Sequence, residues 1–297
     1  MADTVGFIGL GLMGKPMAKN LLKAGFPLVV HSRSAGPVDE LVAAGAARAR
    51  TPADVARQVR RIVTMLPDSP DVELVVEGPD GILAGLQPGT ILIDSSSISP
   101  AVARRLAETV RARGAAMLDA PVSGGEIGAI GGTLSIMAGG DAAAFAQVRP
   151  ILEAMGNPER IIRIGDSGAG QICKVCNQMV IGGTLAAVSE AFALARKAGV
   201  DAAKVREALL GGFAASRVLE VHGERILSRN YKPGFRAQLY AKDYRVAGET
   251  LAAHEVPAPV TAAVHQLVTA LIASGRGTDD YSALAKVVFE LAGVKDS

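Results

Sequence analysis

The segment Gly9-Leu10-Gly11-Leu12-Met13-Gly14 leaves the apolar run Val5-Gly6-Phe7-Ile8 directly and opens a helical pattern from Met13 to Ala24. Strand, tight glycine turn and helix in that order form the first half of a βαβ unit that holds a dinucleotide. In such a turn Gly9 permits the reversal of the chain, Gly11 lets the backbone approach a pyrophosphate, and Gly14 lets helix and strand pack closely. The pyrophosphate then rests on the unpaired N–H groups of the helix N-terminus. With 34 glycines in 297 residues the spacing alone is weak, so the flanking strand and helix carry the inference. Leu10, Leu12 and Met13 lie within the turn and are expected to border the cofactor with the three glycines.

The rest of the N-terminal half continues the alternation. Val5–Ile8, Leu28–Val30, Ile62–Leu66, Thr90–Ile93, Ala116–Leu118 and Leu134–Ala138 read as strands, and their continuous apolar character fits a parallel sheet covered on both faces. Helical spacing occupies Lys15–Ala24, Val38–Ala44, Ala53–Gln58, Pro100–Arg113 and Ala142–Met155. After Gly165 the strand signal stops. A long helix is expected from Ala169 to Lys197, ending at Gly199, followed by helices near Ala202–Leu210, Val218–Leu227, Gln238–His254, Val260–Ala273 and Ser282–Leu291. The chain is therefore read as α/β, an N-terminal Rossmann-type doubly wound sheet (residues 1–165, NADP-binding) followed by an all-helical C-terminal domain (residues 166–297) for substrate and oligomerisation.

Composition excludes several functions. Thirty-one Lys and Arg against 29 Asp and Glu leave a net charge of +2, with the basic residues scattered, so a nucleic-acid partner is not expected. The absence of Trp removes the best stacking platform for single strands. Cys173 and Cys176 have redox or zinc spacing, but no further Cys or His cluster completes a metal site, so no metal is expected. They read instead as two small, half-buried thiols, and a chain without a disulfide framework suits the cytoplasm. With a strand beginning within a few residues of Met1, no secretory leader is expected. The apolar stretch Met179–Ala195 contains Gly182, Gly183 and Glu190 and reads as a buried helix, with no membrane partner. A helix apolar on more than one face implies cover by a second subunit, hence a homo-oligomer.

The end of the second strand discriminates between nicotinamide cofactors. NAD-preferring sites place an acid there for the ribose 2′-hydroxyl. This chain has His31-Ser32-Arg33-Ser34, with no acid, and Arg33 can pair with a 2′-phosphate while Ser32 and Ser34 offer hydroxyls. The expected cofactor is NADP, with NADPH preferred over NADH. Stacking of Arg33 on adenine, tolerant of both, is the alternative.

Hydride transfer also needs a group that exchanges the hydroxyl proton. None of His31, His222, His254 and His265 lies in a recognisable site context. Lys174 stands in an apolar helix just past the Rossmann half, where a cleft between domains is expected, with Asn177 and Gln178 on the same face. Taken alone, a lysine near a helix start is more often a surface residue than a catalytic one.

Four segments, in order along nearly the whole chain, give the residues a context. Phe7–Leu21 resembles the glycine-turn signature of the β-hydroxyacid dehydrogenases, Asp119-Ala-Pro-Val-Ser-Gly-Gly125 their substrate-binding turn, Gly168–Gln178 their catalytic segment, and Lys242-Asp243 their C-terminal cofactor-contacting motif. The resemblance implies Lys174 as the proton donor, and Ser123, Gly124 and Gly125 as the holders of a substrate carboxylate. It further implies Ser97, Met65, Leu66, Pro67 and Lys242 beside the cofactor, with Phe235 and Asp243 closing over the substrate. Consecutive N–H groups of a glycine-rich turn do form an anion-binding nest. Where the family often has Asn four residues after the lysine, this chain has Gln178, which leaves open whether Asn177 or Gln178 touches substrate. Arg229–Arg236, Gly275–Asp279 and Ser282–Ala285 resemble the members of that family that reduce tartronate semialdehyde, and this resemblance implies its reduction to D-glycerate. The same site would serve 3-hydroxyisobutyrate, succinic semialdehyde, glyoxylate or L-serine. Imine reduction uses a similar architecture but generally lacks the lysine. A protein that binds NADP without chemistry would have a broken catalytic set, whereas Ser123, Lys174 and Asp243 are all in place.

Overall fold

The computed structural model describes residues 3–294. The chain runs β1 (Val5–Ile8), α1 (Gly14–Lys23), β2 (Leu28–His31), α2 (Ala35–Ala43), β3 (Ala47–Arg48), α3 (Pro52–Gln58), β4 (Arg61–Thr64), α4 (Ser69–Glu77), α5 (Ile82–Gly85) and β5 (Ile91–Asp94). It continues α6 (Pro100–Arg111), β6 (Ala116–Asp119), β7 (Val122–Ser123), α7 (Gly125–Gly131), β8 (Leu134–Gly139), α8 (Ala142–Met155) and β9 (Gly156–Gly165). Helices alone follow: α9 (Ala169–Lys197), α10 (Ala202–Leu210), α11 (Arg217–Leu227), α12 (Ala237–Ala253), α13 (Pro259–Ala273), a 3₁₀ turn (Tyr281–Ala283) and α14 (Leu284–Leu291).

Among the described residues nine strands form one sheet in the order β3-β2-β1-β4-β5-β6-β8-β7, with β9 on β8. The first six are parallel, β8 is antiparallel to β6 and β7, and β9 is parallel to β8. The apolar runs are explained by alternation between two cores. Val5, Phe7, Val63, Ile91 and Ile93 face Met17 and Leu21 of α1 and Val148 and Leu152 of α8. Ile8, Ile62 and Leu92 face Val55 of α3 and Leu106 and Val110 of α6. Register aligns His31, Ile8, Thr64, Asp94 and Asp119 in one row across the carboxyl ends of five strands. Everything that follows those residues in sequence emerges at the edge where open α/β sheets bind ligands, and the strand order reverses between β1 and β4.

Two compact units divide at Lys174 and Val175. The second, all-helical, is built on Leu185, Phe192, Leu219, Tyr240, Tyr244, Val264 and Phe289. In it α9 buries Leu185 and Phe192, while Val180 and Leu194 on its opposite side are 68% and 71% exposed. The helix ends at Gly199, whose φ of +72° suits glycine.

Several elements differ from the expectations. The short β3 and β7, the longer β9, and α4, α5 and α7 have no counterpart among the expected elements. In β9 the residues Ile162 and Ile164 point outward, so its pattern lacks the double burial of the central strands. The turn of α7 is Gly-rich, with weak intrinsic propensity, and exists because Gly128 and Ala129 are buried. Of the two thiols read as half-buried, Cys176 is exposed and Cys173 intermediate.

Candidate active site

The glycine turn separates into packing and approach. A Cβ on Gly9 would run into the Met65 carbonyl oxygen and sit 2.9 Å from Leu66 Cδ2, and φ there is +97°. A Cβ on Gly14 would collide with the Gly9 carbonyl oxygen. Those two glycines are demanded by the chain itself. A Cβ on Gly11 would meet nothing within 4 Å, so its smallness is explained by something the fold leaves room for. The following helix is ready for it: Met13 at its N-cap makes no side-chain cap bond, and the first turn holds no acid. By contrast Thr51, Asp68 and Asp141 cap α3, α4 and α8 with their own oxygens. An open Gly11 before an uncapped helix start fits a pyrophosphate. A groove of about 730 Å³ alongside is lined by Leu10, Gly11, Leu12, Lys15 and Lys19.

Ser32, Arg33 and Ser34 follow the end of β2 and lead into α2. Ser32 Oγ accepts from the Leu10 N–H at 3.4 Å, and Ser34 is the N-cap of α2 without forming a side-chain cap bond. The Arg33 side chain is 84% exposed and lies 3.7 Å from Asp71, in the first turn of α4. No acid stands in the first turn of α2. Arg33 thus presents a solvent-facing cation just past the end of β2.

Met65-Leu66-Pro67 and Ser97 emerge from β4 and β5 and are tied together. Ser96 Oγ accepts from the Leu66 N–H at 2.9 Å and donates to Asp94 Oδ1 at 2.6 Å, which also accepts from Thr64 Oγ1 at 2.7 Å. Ser69 Oγ accepts from the Ser99 N–H at 3.0 Å. Ser97 is half-buried between buried Ser96 and Ile98. Burial pushes the Asp94 carboxyl up to about 6, against the bonds from Ser96 and Thr64, and the charge of Asp119 pushes the same way. Its Oδ2 is buried without a hydrogen-bond partner.

β6 ends at Asp119 and leads through Pro121 to Ser123, Gly124 and Gly125. Gly124 and Gly125 have φ of +139° and +62°, a conformation open to glycine. Lys174 reaches this turn: its Nζ donates to the Val122 carbonyl at 2.9 Å. Asp119 holds the start of the same helix, with Oδ1 accepting from the Gly168 N–H at 2.7 Å and Oδ2 from the Gln171 N–H at 2.9 Å. Burial raises the Asp119 carboxyl, and these backbone bonds oppose the rise. Asp94, Asp119, Ser96 and Gln171 are not among the residues expected from the sequence. The available signal was Gln171, a polar residue one helical turn before Lys174 on an apolar helix.

In the second unit Asn177 and Gln178 follow one turn after Lys174 along α9. Gln178 is buried and occupied on both ends, accepting from Asn177 Nδ2 at 2.7 Å and donating to Asp243 Oδ2 at 2.6 Å. Asp243 Oδ1 pairs with Lys242 Nζ at 2.8 Å, with only 12% and 4% of the Lys242 and Asp243 side chains exposed. Phe235 meets Tyr240 and Tyr281 edge-on at 6.3 and 5.9 Å between ring centroids. Its N–H donates to buried Asp280 at 3.1 Å. The expected residues thus gather into two sets. Gly9–Gly14, Ser32–Ser34, Met65–Pro67, Ser97, Ser123–Gly125 and Lys174 belong to the first unit, and Asn177, Gln178, Phe235, Lys242 and Asp243 to the second.

Residues 4–175 match the model of the NAD-binding domain of 6-phosphogluconate dehydrogenase, and residues 168–288 that of the NAD-binding region of NADP-dependent 3-hydroxyisobutyrate dehydrogenase. The chain is 46% identical to 2-hydroxy-3-oxopropionate reductase of Escherichia coli, covering 98% of this chain and 99% of that one. It is 41% identical to an NAD-dependent L-serine dehydrogenase of Pseudomonas aeruginosa, over 95% and 97%. The structure of Mycobacterium tuberculosis 3-hydroxyisobutyrate dehydrogenase with L-serine superposes with a TM-score of 0.88 at 33% identity, covering 97% and 99%.

Proposed function

The chain belongs to the NAD(P)-dependent β-hydroxyacid dehydrogenases, and within that family of oxidoreductases we propose that it reduces tartronate semialdehyde to D-glycerate with NADPH. One observation supports the reading: the Lys174 ammonium donates to the carbonyl of Val122, the residue just before the Ser123-Gly124-Gly125 turn assigned to the carboxylate. In this reading the Ser123 hydroxyl and the N–H groups of Gly124 and Gly125 hold the substrate carboxylate. The reduced nicotinamide, when bound, supplies a hydride to the aldehyde carbon. As the carbonyl π bond breaks toward oxygen, Lys174 delivers a proton there and is left as the neutral amine.

Asn177 is assigned to the substrate, because Gln178 is occupied on both ends and serves to fix Asp243. Phe235, Lys242 and Asp243 are assigned to closing over the bound pair. The preference for NADPH is supported by Arg33 and by the missing acid after β2. The relatives named for L-serine and 3-hydroxyisobutyrate support a second reading, oxidation of a small hydroxyacid at the same residues. Exposed Val180 and Leu194 on α9 support a homo-oligomer, and the two reduced thiols support a cytoplasmic setting.

The test is the initial rate with tartronate semialdehyde, succinic semialdehyde and glyoxylate, each with NADPH and with NADH. The reading expects the highest kcat/KM for tartronate semialdehyde with NADPH. A preference for NADH, or for succinic semialdehyde, removes the corresponding part of it.

A further inference from the structure

Gln171 is buried in the first turn of α9, three residues before Lys174. Its side chain turns away from its own helix. Nε2 donates to the Ser96 carbonyl at 2.8 Å, and Oε1 accepts from the Ile98 N–H at 3.1 Å. These two partners flank Ser97. A primary amide matches such a pair because it offers one donor and one acceptor without charge, as a peptide group does in a sheet ladder. The backbone N–H of Gln171 is fixed separately, by Asp119. The fit at that point is close: a Cβ on Gly170 would lie 2.9 Å from Asp119 Oδ2 and 2.5 Å from the Asp119 carbonyl oxygen. Lys174, one turn on and on the same face, donates to Val122.

We propose that Gln171 is the positioning residue of the reaction, fixing the Ser97 turn to the helix that carries Lys174. Its side chain makes two bonds to backbone groups either side of Ser97, so any slide of the helix start against that turn breaks both. The spacing between the hydride side of the site and the proton donor is thereby held by one side chain that touches neither substrate nor cofactor. This rests on the assignment of Lys174 as proton donor.

The test uses Gln171→Glu, Gln171→Leu and Lys174→Ala, each measured for kcat, KM, cofactor dissociation constant and thermal stability. In Gln171→Glu the introduced carboxyl, when protonated, reproduces the glutamine, its O–H donating to Ser96 and its C=O accepting from Ile98. When ionised it sets a carboxylate against the Ser96 carbonyl. The charged groups around it are Asp119, bonded to its backbone, Asp94 at the neighbouring strand end, Lys174 on the same helix face, and Arg104, which packs on Gly168. Burial and the two carboxylates raise the pKa of a carboxyl there, and the two cations oppose the rise.

The expected result for Gln171→Glu is a kcat about 10- to 100-fold below wild type at about pH 8, with cofactor affinity and KM nearly unchanged. Its ratio to wild type then climbs as pH falls through the raised pKa of the new side chain. Gln171→Leu loses kcat similarly, with no recovery at low pH. The proposal is overturned if Gln171→Glu matches wild type at every pH. It is equally overturned if its kcat, cofactor affinity and melting temperature fall together, without the pH-dependent recovery. The control separates the two layers. If Lys174→Ala keeps wild-type kcat, the proton-donor assignment fails. If Lys174→Ala is inactive while Gln171→Glu is normal, only the positioning role fails.

Discussion

Two glycines of one turn are expected to respond to the same substitution in opposite ways. Gly11→Ala adds a methyl where nothing lies within 4 Å, and the residue is not among those with positive φ, so the fold has no reason to object. Gly14→Ala drives a methyl into the Gly9 carbonyl oxygen and to 3.1 Å from the Phe7 ring, both parts of the β1 turn. Overpacking of that kind against backbone costs about 2–3 kcal/mol, which lowers the melting temperature of a unit this size by about 4–12 °C. Gly11→Ala should melt within about 2 °C of wild type, since surface changes of this type stay within about 0.5 kcal/mol. Its cost appears on binding. A methyl at the approach of the pyrophosphate displaces a charge-assisted hydrogen bond worth about 1.5–3 kcal/mol, raising the NADPH dissociation constant about 10- to 150-fold. Thermal unfolding without cofactor and a fluorescence titration with NADPH read the two effects separately. The reasoning is refuted if Gly11→Ala binds NADPH as wild type does, or melts as low as Gly14→Ala.

Other outcomes follow from the same geometry. Arg33→Ala should weaken NADPH about tenfold and leave NADH unchanged, since the side chain is well exposed and screened. Asp71→Asn, which frees Arg33 from its acidic neighbour, should tighten NADPH about twofold, an effect that fades with added salt. Stability should also carry the mark of Asp94, whose carboxyl rises from 3.8 to about 6 on folding. Between those values the folded state binds the proton that the unfolded state has released, so stability is lost as pH rises toward 6. The loss from this group amounts to about 3 kcal/mol, and Asp94→Asn should flatten the slope by that contribution in urea unfolding measured across the same range, leaving the part carried by Asp119.

The parallel sheet was legible in the sequence because strands covered on both faces are continuous apolar runs, as Val5–Ile8 and residues 91–93 show. The long helix was legible to its ends through Gly199 and its apolar length. β9 and α7 were not, because one face of β9 is exposed and α7 is held by packing despite three glycines. In the site, Lys174, Ser123 and the glycine turn stood out by motif. Asp119 and Gln171 lay inside such motifs with no role of their own, and Asp94 in none, because their roles are side-chain bonds to groups as far as 75 residues away in sequence. A pattern of burial marks such residues as inward-facing and says nothing about which distant backbone they hold. The occupied state of Gln178 is of the same kind, set by Asp243 from another helix.

The account turns on Lys174, so the most direct measurement is the kcat of Lys174→Ala for reduction of tartronate semialdehyde, beside NADPH binding by the same variant. The account predicts a fall of about 10²–10⁴-fold in kcat, the range of a lost general acid, with NADPH binding unchanged. A Lys174→Ala enzyme that turns over at the wild-type rate would contradict it.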